Sequence, residues 1–142
     1  MAIRVRVSLL NPRTNIQVET SALINSGYEV EVAEIQIPLS LARRLGFNVD
    51  EARIGSITLC GQIEIPIRIL GVVKVRVIVE DRETNWVNAI ATSIGREREV
   101  LLSDKLTDAL GISPIKVGEG VWRLTDDPPN VLRRSVPAEY WE

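Results

Sequence analysis

The chain has 142 residues, of which 45% are hydrophobic and 25% charged, with a formal net charge of −2 and no histidine. That length suits one domain with a sizeable core, and the interspersed charges offer no basic patch for nucleic acid. The lack of histidine excludes Ser-His-Asp and Cys-His catalysis, which need an imidazole beside the nucleophile. With a single cysteine it also leaves carboxylates as nearly the only metal ligands, so no metal or cofactor is expected.

Aromatic residues make only 4% of the chain. Ile, Val and Leu supply most of the apolar surface, a composition that favours strands packed by β-branched side chains. No apolar run approaches the ~20 residues that span a bilayer, and the first residues lack a signal-peptide core. One cysteine makes no internal disulfide. A cytoplasmic protein is expected, with neither membrane nor nucleic acid among its partners.

In chain order, Ile3-Arg4-Val5-Arg6-Val7-Ser8-Leu9 alternates at period two, the mark of a half-buried strand. Asn11-Pro12-Arg13-Thr14-Asn15 is turn chemistry, and Ile16 to Ile24 is the returning strand. That strand delivers Asn25-Ser26-Gly27, where glycine permits an unusual turn or a close approach. Ile35 to Pro38 is a short strand. Pro38 then suits a first helical position, with Leu39, Leu41, Ala42 and Leu45 at helical spacing and Gly46 as the stop.

Ile54 to Val79 is strand-rich. A hairpin is expected over Ile57 to Ile65 with its tip near Cys60-Gly61, followed by a second pair, Ile67–Gly71 and Val73–Val79. Pro66 points to an edge or a bend. Trp86 to Ile94 and Val100-Leu101-Leu102 are further strands. Ser103 can cap a helix over Asp104 to Leu110, whose inward face would carry Leu106, Ala109 and Leu110 before Gly111 ends it. A Gly118-Glu119-Gly120 turn leads into a last strand, Val121 to Leu124. Residues 1–125 form the expected domain. Residues 126–142 form a tail that packs on the domain or on a partner copy.

Several residues carry plain readings. Cys60 is a small buried hydrophobe, and Glu29, Glu31 and Glu34, which follow the loop, are read as a solvated edge, the alternatives being a cleft wall or a cation site. Asp104 and Asp108 lie on a helix surface. Trp86, Trp122 and Trp141 are core or interface anchors.

Three marks in order carry a resemblance: Ala22-Leu23-Ile24-Asn25-Ser26-Gly27-Tyr28, Ile37-Pro38-Leu39 through Gly46-Phe47, and Val100-Leu101-Leu102-Ser103-Asp104 with Leu110-Gly111-Ile112 beyond. Together they resemble the retropepsin-like family of aspartic proteases, single-domain homodimeric relatives of pepsin. The resemblance spans roughly Ile3 to Leu124. It implies a mostly β chain, a closed or partly open β-barrel with two short helices and a flap hairpin. It also implies a homodimer acting on peptide or unfolded protein, with Trp122 expected at the interface between copies.

The family's catalytic loop is Asp–Ser/Thr–Gly, which maps onto Asn25, Ser26 and Gly27. Tyr28, Cys60, Gly61 and Gln62 fall where substrate is covered. Ser103 stands where many members have glycine. The larger departure is Asn25. Aspartic proteases place two carboxylates about 3 Å apart, one accepting a proton from water while the other polarises the scissile carbonyl. An amide does not trade a proton near neutral pH. The expectation is therefore an aspartic endopeptidase scaffold, inactive as written, with Asn25 either an engineered substitution or the natural residue of a pseudo-protease. The alternatives are a non-catalytic peptide-binding or assembly module on the same fold, and a small β-barrel with no cleft function.

Overall fold

The computed structural model of the protein describes residues 2–25, 27–59 and 62–142, with Leu59 described by its backbone alone. Strand β1 (Arg4–Asn11) turns into β2 (Ile16–Ile24), and the two pair in full antiparallel register from Arg4–Leu23 to Asn11–Ile16. Val5, Val7 and Leu9 point into the core with no exposed surface, as the alternation demands. At the turn Asn11 Oδ1 accepts the Arg13 N–H at 3.0 Å, and Asn15 adopts φ +62°, a conformation asparagine tolerates.

After β2 come β3 (Glu34–Gln36), helix α1 (Leu39–Arg44), β4 (Arg53–Leu59), β5 (Ile63–Val77), β6 (Val87–Ser93), β7 (Val100–Leu102) and helix α2 (Asp104–Ala109). Six of these strands close a ring in the order β1-β2-β7-β3-β6-β5, because β5 pairs back onto β1 from Leu10–Lys74 to Val7–Val77. Closure leaves those six strands with neighbours on both sides. The barrel is mostly β with two short helices, and among the described residues no helix is long and apolar enough to cross a membrane.

β5 departs from expectation. The runs Ile67–Gly71 and Val73–Val79 are not the two arms of a pair but parts of one strand that is continuous from Ile63 to Val77. Gly71, at φ +138°, sits at a register shift after Ile69 and lets the strand bend without breaking. The half beyond the bend joins β1 and β6 in the ring. The first half pairs with β4, and pairing with β6 begins only at Arg68–Ser93, so Pro66 has a ladder partner on one side alone. The β4–β5 pair therefore stands out from the barrel.

Pro38 is the N-cap of α1 rather than its first residue, and Leu41, Ala42 and Leu45 pack inward ahead of Gly46 at φ +85°. In α2 the inward residues are Leu106, Thr107 and Leu110, whereas Ala109 is exposed. Thr107 is tolerated facing the barrel because the Ser103 carbonyl accepts its hydroxyl at 2.8 Å.

A second sheet, in the order β10-β9-β8, is built from β8 (Ile112–Lys116), β9 (Val121–Leu124) and β10 (Arg133–Arg134). Trp122 on β9 is 3% exposed within the single chain, with the Arg133 guanidinium 5.9 Å from its ring centroid. It is a core residue, not the surface anchor of an interface. Asp127 accepts from Arg133 Nε at 2.9 Å and from the Leu124 N–H at 2.9 Å, locking the turn after β9. Residues 135–142 run along the barrel: Val136 N–H donates to the Arg4 carbonyl, Glu139 N–H to Ser21 Oγ, and Trp141 Nε1 to Thr20 Oγ1.

Candidate functional site

The site begins where β2 runs parallel to β7, with Ile24 opposite Leu102. Asn25 follows at once, its N–H directed at the Leu102 carbonyl at 3.4 Å. The chain then turns tightly. Asn25 Oδ1 accepts the Gly27 N–H at 3.2 Å, and the Asn25 carbonyl accepts the Tyr28 N–H at 3.0 Å. This is asparagine's usual local turn chemistry, and the absence of a Gly27 side chain leaves that side of the amide open. The Tyr28 carbonyl in turn accepts the Asp104 N–H at 3.0 Å, tying the turn to the start of α2.

Ser103 joins three elements. Its hydroxyl oxygen accepts the Leu106 N–H at 3.2 Å as the cap of α2, and also the Glu34 N–H of β3 at 3.0 Å. Its own N–H donates to the Glu34 carbonyl at 3.1 Å. Glu34, expected on a solvated edge, is 8% exposed, because β3 lies between β7 and β6 and is covered on both faces. Its Oε2 accepts a hydrogen bond from the buried Tyr28 hydroxyl, which also lies 3.5 Å from Thr92 Oγ1. Burial, and then the bond to Glu34, push the Tyr28 phenol well above its ordinary range.

A cavity of about 250 Å³ opens above this arrangement. Asn25, Gly27, Tyr28 and Gln36 line it from the barrel, and Ile57 and Thr58 of β4 line it from the projecting strand pair. Ile94 and Leu101 add apolar wall, and Glu29 is the one charged residue among the described lining. A larger hollow of about 540 Å³ beside Arg13, Phe47 and Arg53 contains none of the expected site residues.

Of the residues expected from sequence, Asn25, Gly27 and Tyr28 are brought together around the cavity. Gln62 is exposed at φ +62° ahead of β5 and is not among the described lining residues. Ser26, Cys60 and Gly61 lie outside the described residues. Ile57, Thr58, Gln36, Ile94 and Leu101 were not singled out from sequence. The hairpin pattern over 57–65 held the signal for the first two; nothing local marks the others.

Chemically, the described lining offers amides at Asn25 and Gln36, a hydroxyl at Thr58 and one carboxylate, Glu29, among apolar side chains. Among the described residues no cluster of three or more Cys, Asp or Glu side chains could hold a metal ion. No family model matches the chain, and no curated protein matches it.

Proposed function

We propose that the chain is a retropepsin-like scaffold, a homodimeric aspartic endopeptidase fold in which Asn25 replaces the catalytic Asp and leaves the protein inactive as written. The observation that carries this reading is Asn25 at the end of β2, on the wall of a cavity whose far side is formed by Ile57 and Thr58 of the projecting β4. An Asp at position 25 would meet the same Gly27 N–H that Asn25 now accepts. Two copies meeting on a two-fold axis would bring two such groups together, and one shared proton would let them act alternately as base and acid.

A second reading, a non-catalytic peptide-binding module, draws on Asn25 itself, an amide whose oxygen already accepts the Gly27 N–H of the turn. In that case an extended peptide adds beneath β4 by strand pairing and is not cut.

The test is the Asn25→Asp protein, incubated with an unfolded protein and peptides from acid to neutral pH and sedimented in parallel. Cleavage by a dimer supports the enzyme fold. A dimer that binds peptide without cleaving it supports the module. A strict monomer refutes both.

A further inference from the structure

Among its described residues the loop between β2 and β3 is tied to neighbouring elements by main-chain bonds of Asn25 to Leu102, Tyr28 to Asp104 and Ala33 to Ile90. None of the described residues from Asn25 to Ala33 belongs to a helix or strand, and Val32 is 53% exposed. Of the described residues between Ile24 and Glu34, Tyr28 alone is buried, at 7% exposure. Its hydroxyl ends on Glu34, a carboxyl with no cation paired to it among the described residues. A buried carboxyl is costly to keep unless it is hydrogen-bonded, and this one has a phenol donor supplied by the very turn that carries residue 25.

We infer that Glu34 is a positioning residue for the site: through Tyr28 it holds the turn that carries Asn25, Gly27 and Tyr28, and with it the direction in which the side chain of residue 25 points. Glu34 is itself well placed to act as an anchor. Its N–H and carbonyl are both bonded to Ser103, and its strand is paired to β6 at Ile90 and beyond. The polar groups that meet Tyr28 Oη from the packed elements are Glu34 and Gln36 of β3 and Thr92 of β6. Only Glu34 combines strong acceptance with a backbone fixed on both sides. The pair thus adds a side-chain tie from the closed barrel to the main-chain bonds that hold the turn. Glu34 is not among the described lining residues of the cavity, so its action passes through Tyr28.

The effect on activity rests on the protease reading above; the effect on the turn does not. In the Asn25 protein, amide hydrogen exchange at Gly27 and Tyr28 is measured for Tyr28→Phe, Glu34→Leu and Glu34→Gln, with Val5 and Val7 of β1 as internal references. Tyr28→Phe and Glu34→Leu are expected to accelerate exchange at Gly27 and Tyr28 about tenfold over the references, while Glu34→Gln, which keeps an acceptor, stays near the parent. In the Asn25→Asp background the first two substitutions are expected to lower kcat about tenfold with KM nearly unchanged, and Glu34→Gln to retain kcat. Unchanged exchange at Gly27 and Tyr28, or equal acceleration at Val5 and Val7, overturns the inference. If Asn25→Asp cleaves nothing, the protease reading fails and the exchange data alone decide the role of Glu34.

Discussion

Ser103→Ala isolates the junction on which the site is built. The Ser103 hydroxyl is fully buried and accepts two main-chain N–H groups, from Leu106 and Glu34. Alanine removes the cap of α2, worth about 1 kcal/mol. It also strands the Glu34 N–H inside the barrel, at a cost of about 1–3 kcal/mol. The expected loss is therefore about 2–4 kcal/mol, a fall in Tm of about 7–13 °C for a chain of this size. Urea unfolding followed by tryptophan fluorescence, at one fixed protein concentration, measures it, and the m-value should not change. Thr107→Val provides the comparison. It removes only the Thr107 hydroxyl bond to the Ser103 carbonyl and should cost about 1 kcal/mol. A Ser103→Ala loss no larger than that of Thr107→Val refutes the double-acceptor account.

Two further predictions test the frame around the site. The Asp127 carboxyl, 3% exposed, is held at about 2 by Arg133 and by the Leu124 N–H, below the ~3.9 of an unfolded aspartate. Its contribution to stability is thus present above about pH 4 and is lost as pH falls towards 2, so the drop in Tm between pH 5 and pH 2.5 should be smaller in Asp127→Asn than in the parent. Equal drops would refute this. Gly71→Ala forces a side chain onto φ +138° at the bend of β5, where the added carbon would meet only Phe47 at an ordinary 3.5 Å. The cost is backbone strain of about 1–3 kcal/mol, read by urea unfolding, and a loss under about 0.5 kcal/mol would show that the bend does not need glycine.

Much of the local structure was legible in the residues. The opening hairpin, the strand ending at Ile24, the strand Val100–Leu102 and the Ser103 cap all follow from short-range signals. The same signals misplaced other features. Glu34 reads as part of a solvated edge after the loop, yet it lies on a strand paired on both sides, within the ring, and is 8% exposed. Gly71 looks like a chain reversal, yet β5 passes through it with only a bulge because β6 pairs on both sides of it. Ala109 fits an apolar helix face by spacing, but Thr107 takes the inward position, its hydroxyl satisfied by the Ser103 carbonyl.

By itself the sequence determined the absence of imidazole chemistry, the turn at Asn25 and the strand-rich character of the chain, since composition, turn propensity and side-chain alternation act within a few residues. The tertiary structure alone decided that six strands close into a ring, that β4 projects beside the Asn25 cavity, and that the Tyr28 hydroxyl meets Glu34. Those features depend on pairings such as β2 with β7 and β1 with β5, between segments far apart along the chain. Such contacts form only when the packing of the whole barrel outweighs the entropy of bringing the segments together, and no local pattern encodes that balance.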